Sequence, residues 1–139
     1  MAIEIILVDR GQEHLLETVA DGVFDNQVKP GSLTAFLNDH RHCLVIAVKK
    51  ERVIGMATGV IYIHPDKIDE MWINEVAVAK AYRRQGIASK MLKRLFVHAK
   101  ANGCSEAWVA TEIDNKAGRG LYRKVKGAEE HVIMYSFDL

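Results

Sequence analysis

Proline is scarce in this 139-residue chain: there are two, beside two cysteines, 7% aromatics and a net charge of only +1. Each shortage excludes something. Few prolines and 49% apolar residues rule out a disordered, low-complexity chain. No uncharged apolar run approaches the roughly 20 residues that span a bilayer, and Glu4 interrupts the first apolar stretch, which reads as a strand, not a signal peptide. A cytoplasmic protein without membrane association is therefore expected. Cys43 and Cys104 lie far apart and are expected as reduced, mostly buried thiols. The six histidines are scattered, and His40 and His42 lack the i, i+4 spacing of a helical ligand pair, so no metal site is expected. No linker or repeat divides residues 1–139, which read as one domain.

Charge is unevenly spread. Residues 1–70 carry a net −4 and residues 71–139 a net +5. Opposed halves in one small domain suit a site where an anionic ligand meets a cationic one. The basic residues are dispersed around one helix without interleaved aromatics, which argues against nucleic-acid binding.

The apolar pattern predicts a strand at 3–8, a helix from Gln12 to about Ala20, a loop over 21–29, and a second helix opening at Pro30 with Ser32 as its N-cap. Strands follow at 43–48 and 53–63, joined as an antiparallel hairpin. A mostly apolar strand at 70–79, a basic turn, a helix from Gly86 to about Ala101 and a strand at 105–111 make one right-handed crossover, hence a parallel pair. A helix at 115–125, ended at Gly127, and a strand at 132–137 complete the chain. The expectation is an α/β domain whose mixed, mostly antiparallel sheet of six to seven strands is flanked by about four helices. The final segment 131–139 is strongly β-forming, and an unpaired edge of that kind favours a homodimer.

Chemistry concentrates in Arg83-Arg84-Gln85-Gly86-Ile87-Ala88-Ser89. A helix start offers unpaired main-chain N–H groups and a positive dipole end, which suit a phosphate. Gly86 and Ala88 are small enough for close approach, and two arginines stand at the rim. Neither G-x-x-x-x-G-K-[ST] nor G-x-G-x-x-G is present. Instead R-x-x-G-x-A follows a strand. It resembles the pyrophosphate signature of the GNAT superfamily of acetyl-CoA-dependent N-acetyltransferases. Asn74-Glu75-Val76-Ala77-Val78 before it, and Asn115-Lys116-Ala117 leading to Leu121-Tyr122-Arg123-Lys124 after it, are similar to that family's acidic strand and last helix. Gly118 stands where the family has Ala. Val125-Lys126-Gly127 delays the family's glycine by one residue, and Ala128 replaces a frequent aromatic. Residues 70–139 carry the resemblance; 1–69 share only the order of elements. Within the superfamily the chain most resembles the gentamicin (aminoglycoside) 3-N-acetyltransferase group.

The resemblance implies acetyl-CoA as co-substrate and a primary amine as acceptor, with a small molecule such as an aminoglycoside as the main expectation. A protein or peptide amine, and a non-catalytic acyl-CoA sensor, are the alternatives. Main-chain N–H groups of Gln85 to Ala88 are expected on the pyrophosphate, with Arg83, Arg84 and Ser89 beside them. The backbone of Val76, Ala77 and Val78 is expected to pair with the pantetheine arm. Glu75 is the candidate general base, its pKa lifted by partial burial; the alternative is an exposed strand glutamate paired with a basic neighbour. Tyr122 is the candidate acid for the leaving thiolate, or else a buried tyrosine. Asn115 is expected to cap its helix and touch pantetheine. Lys116, Arg119 and Arg123 are candidates for the adenosine phosphates, and Asp21, Asp25, Asp69, Glu70 and Asp114 for a cationic acceptor. Trp72 and Trp108 are expected in the core or at an interface.

Overall fold

In the computed structural model, which describes residues 2–139, five strands form one sheet in the order β1 to β5. These are β1 (Glu4–Leu7), β2 (His42–Lys49), β3 (Arg52–Tyr62), β4 (Glu70–Val78) and β5 (Glu106–Trp108), with α1 (Pro30–Asn38), α2 (Ile87–Ala101) and α3 (Lys116–Lys124) around them. Strands β1 to β4 are antiparallel neighbours, and β5 is parallel to β4, as the crossover through α2 requires. The mixed, mostly antiparallel α/β architecture is as expected; the counts are not.

Three differences explain the counts. The helix expected from Gln12 to Ala20 is a single 3-10 turn, Glu13–Leu16. Thr18 and Ala20 instead bond the backbone of Val53, which pulls Val19 into a bridge beside β3. The strand expected at 105–111 pairs only over 106–108, because β5 follows β4 no further than Trp72. The strand expected at 132–137 is not formed: among the described residues none beyond Gly127 makes a main-chain to main-chain hydrogen bond. A smaller correction concerns α1. Pro30 occupies its first turn and Lys29 the cap position, so Ser32 lies inside the helix.

Two apolar layers sandwich the sheet. On one face α2 lays Ile87, Met91, Leu92, Leu95 and Ala99 onto Val45, Ala57, Met71 and Ile73, all buried. On the other, the 3-10 turn, the segment after it and α1 cover Ile46, Val53 and Met56 with Leu16, Val23 and Leu37. At roughly 25 cal/mol per Å² of buried apolar surface these layers dominate stability. The β2–β3 hairpin turns on Lys50 and Glu51, both at positive φ (51° and 62°), the geometry of a two-residue primed turn made here without glycine. Among the described residues no helix is long and apolar enough to cross a membrane.

Candidate functional site

The sheet changes character along β4. Residues 70–72 are paired on both sides, whereas from Ile73 onward the edge facing β5 has no strand beside it. At the same place β4 bulges: Thr58 is opposite Glu75 and Gly59 opposite Ile73, leaving Asn74 as the extra residue. The Glu75 N–H bonds the Thr58 hydroxyl at 3.2 Å. The bulge thus aims Glu75 outward just where the sheet opens. The Val76 to Val78 stretch expected to meet a ligand arm lies on this open edge, although the Arg83 guanidinium donates to the Val78 carbonyl at 3.1 Å.

A 3-10 turn, Lys80–Tyr82, leads from β4 into the loop before α2. Arg84 and Gly86 are both left-handed there (φ 63° and 76°), and Gly86 is the N-cap of α2, which no side chain caps. The first main-chain bond back into the loop runs from Lys90 to Gly86 at 3.1 Å. Consequently the N–H groups of Arg84, Gln85, Gly86, Ile87, Ala88 and Ser89 have no acceptor among the described residues. A helix start leaves its first N–H groups without intrahelical partners, and such a run at the positive end of a 15-residue helix suits an anion. Arg84 and Gln85 are exposed, whereas Ile87 and Ser89 are buried and can offer a ligand only their backbone. A Cβ built on Gly86 would lie 3.9 Å from Lys124 Nζ. Lys124 of α3 therefore reaches over the loop. The sequence offers Lys116, Arg119 and Arg123 for phosphate contact and does not single out Lys124, which only the docking of α3 brings to the loop.

Arg119 is engaged elsewhere. It donates to the Ile113 carbonyl at 2.9 Å and to Glu129 at 3.1 and 3.2 Å, and Arg123 lies 3.6 Å from the same carboxylate. The adjacent guanidiniums hold the Glu129 carboxyl below its usual range. Asn115 caps α3 as expected, its Oδ1 accepting the Gly118 N–H at 3.0 Å while its Nδ2 donates to Thr111 at 2.8 Å. A Cβ at Gly118 would sit 2.6 Å from Asn115 Nδ2, so the glycine there permits the cap.

Tyr122 is half-buried against the α2 layer, and burial raises its phenol above the ordinary value of 10. It is therefore protonated at neutral pH, the state a proton donor needs. Glu75 differs from expectation: it is exposed, not partly buried. It lines a cleft of about 310 Å³ with Thr58 and Leu44 of the sheet, Ser32, Leu33 and Phe36 of α1, and the 24–29 segment. A second cleft of about 480 Å³ continues past Asp25 to Asp21 and Glu17. Asp25 thus shares the first cleft with Glu75, and Asp21 shares the second with Asp25. Asp69 and Glu70 are at the far end of β4, and Asp114 lies in the turn before α3.

Trp72 and Trp108 belong to neither core layer. Their rings are 4.1 Å apart, Trp108 is 44% exposed, and its indole donates to the Tyr62 hydroxyl. His64 packs edge-on to Tyr62 and bonds Glu70 at 2.6 Å, and the Trp72 indole donates to Asn74 at 3.2 Å. A linked row of aromatic and polar side chains runs along the sheet to the bulge. Burial disfavours the thiolate form of both cysteines. Burial lifts the Cys43 thiol to about 11, with Cys104 as the second cause, and burial also raises Cys104.

A strand that parts from its neighbour above an uncapped, glycine-entered helix leaves an open edge and a helix start with room for an extended, phosphate-bearing ligand. The profile of the acetyltransferase (GNAT) family matches residues 8–128, and the chain belongs to that family. It is similar to N-alpha-acetyltransferase 30 of Schizosaccharomyces pombe (30% identity over 80 residues, 58% of this chain and 53% of that protein). It is also similar to the L-2,4-diaminobutyric acid acetyltransferase of Oceanobacillus iheyensis (34% over 77 residues, 54% and 42%). The chain thus spans about half the length of these curated relatives. Among solved structures, an aminoglycoside acetyltransferase from an uncultured soil metagenomic sample, in complex with sisomicin, shares the fold, with a TM-score of 0.82 at 19% identity over 99% of this chain and 96% of that one.

Proposed function

We propose that this protein is an acetyl-CoA-dependent N-acetyltransferase that acylates a primary amine of a small molecule. The observation that carries the reading is the run of six acceptor-free N–H groups from Arg84 to Ser89 beneath an open strand edge. The cradle fits a diphosphate: donors converge at a helix start, no side chain fills the place of a Gly86 Cβ, and Lys124 adds positive charge. Acetyl-CoA would supply an acyl group already activated as a thioester. The chain's own residues then have three tasks. Main-chain groups of Val76 to Val78 align the ligand's arm as a neighbouring strand would and present an N–H where negative charge develops. Glu75, at the mouth of the 310 Å³ cleft, accepts a proton from the acceptor amine, directly or through water. Tyr122, kept protonated by burial, donates to the departing thiolate.

Asp21 and Asp25 along the continuous clefts favour a cationic acceptor, and an aminoglycoside suits them. Membership of the gentamicin 3-N group is the narrowest form of this proposal. A protein α-amine is the second reading, favoured by the named activity of the fission-yeast relative. Release of free thiol from acetyl-CoA, assayed against aminoglycosides, polyamines and peptides, separates the two. In that assay Glu75→Gln is expected to lower kcat on the order of 100-fold while sparing CoA affinity. Unchanged turnover at neutral pH would remove Glu75 as the base, and no heat of CoA binding to the wild type would remove the function.

A further inference from the structure

The two tryptophans serve neither core layer nor the loop before α2, and their setting is specific. In register, Tyr62 lies opposite Glu70 and Glu70 opposite Glu106, while Val60 lies opposite Trp72 and Trp72 opposite Trp108. Residues directly opposite, and those two apart on one strand, share a face of the sheet. Asn74 therefore sits on the face of Trp72. The bulge puts Glu75 there too, since its partner Thr58 is two residues from Val60. Met71 and Ile73 point the other way, into the α2 layer.

Both indole N–H groups on this face are already taken: Trp108 donates to Tyr62 and Trp72 to Asn74. The rings are thereby held 4.1 Å apart and tilted by 59°, and they offer π-faces rather than donors. Core packing does not account for the arrangement, because Trp108 is 44% exposed. Carboxylates stand at both ends, Glu70 and Glu106 at one and Glu75 at the other. Among the described residues neither Glu75 nor Glu106 is in an ion pair. Electron-rich ring faces between carboxylates attract an ammonium and repel an anion.

We propose that Trp72 and Trp108 bind a second, non-reacting ammonium of the acceptor, which makes the site selective for diamines and longer polyamines. The inference rests on the transferase reading, in which Glu75 takes the proton of the reacting amine. Three residues separate Trp72 from Glu75, which sets the two nitrogens roughly 10 Å apart at about 3.3 Å per strand residue. The row from the indoles through Asn74 to Glu75 is continuous, so a linear chain can lie along it. Neither tryptophan lines the clefts that hold Asp21 and Asp25. The subsite thus adds a length requirement to the general attraction of a cation.

The chain has no other tryptophan, so its indole fluorescence reports on this subsite alone. Titration of the full-length wild type with linear diamines is expected to change that fluorescence saturably, at concentrations about 10-fold below those the monoamine of equal length needs. In thiol release from acetyl-CoA, a diamine of about seven methylenes, roughly 10 Å between nitrogens, is expected to exceed that monoamine about 10-fold in kcat/KM, mainly through KM. A four-methylene diamine is too short and should gain no more than the about 2-fold that two reactive ends give. Trp108→Leu is expected to remove the long diamine's advantage, and Trp108→Phe to restore part of it. Equal responses to diamine and monoamine, or an advantage that survives Trp108→Leu, would overturn the proposal. Fluorescence that varies with protein concentration in the absence of amine would also overturn it, since a second copy would then cover the indoles. A saturable diamine response without thiol release from any amine would uphold the subsite and remove the transferase reading.

Discussion

The half of the sheet from β1 to β4 and the half beyond it are built from similar residues and do opposite things. In the first, β2, β3 and β4 form long antiparallel ladders, and Val45, Ile46, Ala47, Val53, Ile54 and Ala57 have no exposed surface at all. In the second, β5 is three residues long, the loop before α2 leaves six donors free, and the final segment is bare. The difference teaches where binding can occur in such a fold. Satisfied backbone cannot recognise a ligand's backbone-like arm or its phosphates, so recognition falls where the pairing rules are left incomplete. Stability is drawn from the first half, and the unpaired backbone lies along its β4 edge and beyond it.

That division breaks if a lesion in the closed half abolishes function without unfolding the chain, or one in the open half unfolds it. The largest effect is expected from Leu92→Ala, which empties a fully buried site between α2 and the sheet. It should lower unfolding free energy by about 2–5 kcal/mol in urea denaturation, with CoA affinity per folded molecule unchanged. Gly86→Val is the counterpart. A β-branched residue is strained at φ 76° and its side chain stands in the cradle, so CoA affinity in calorimetry should fall on the order of 100-fold. Retained affinity would move the ligand away from this loop.

These two positions were also legible in different ways from sequence. Leu92 follows from 3.6-residue periodicity, and the hairpin, the crossover and both apolar layers follow from the same kind of pattern. Gly86 follows from a spacing motif tied to a helix start. What pattern did not reach depends on contacts distant in the chain. The 12–20 helix lost its last turn to Val53, 33 residues or more ahead. Lys124 meets the loop only because α3 docks near it. Glu75 is exposed because a bulge opposite Thr58 and Gly59 turns it out, which no local alternation signals. The linked aromatic row from Tyr62 to Trp72 joins three strands and is invisible to any single one of them.

A subtler test sits on the boundary between the halves, since Tyr122 packs on the closed layer while its proposed role lies in the open one. Tyr122→Phe should lower kcat about 10-fold and leave CoA affinity intact. Its pH behaviour carries the sign. A phenol raised by burial contributes stability that is fully present below the unfolded value near 10 and lost as pH rises through the higher folded value. The decline in wild-type rate from this group should accordingly begin only above pH 10, and the Phe variant should lack that limb in both activity and stability profiles. A limb near neutrality that survives in the Phe variant would assign the acid elsewhere.

The smallest expected effect sharpens the comparison most, because it asks whether the open half carries strain with no functional use. At the end of α3, Lys126 is left-handed at φ 72° while its N–H bonds Arg123 and the Gly127 N–H bonds Tyr122 at 2.9 Å. This is the two-bond helix stop in which glycine ordinarily occupies the left-handed place. Here the glycine comes one residue late, where a Cβ would lie 3.0 Å from the Tyr122 carbonyl. Glycine is thus used for close approach, and a lysine bears the unfavourable φ. Lys126→Gly is expected to stabilise by about 0.5–1 kcal/mol, since relief of left-handed strain exceeds the entropy of freeing the unfolded chain. Thermal denaturation should show a rise of a few degrees with turnover unchanged. A fall in stability would mean that the lysine side chain holds the turn, and a fall in turnover would mean that the tilt of α3, and with it Lys124 and Tyr122, is set by that strain.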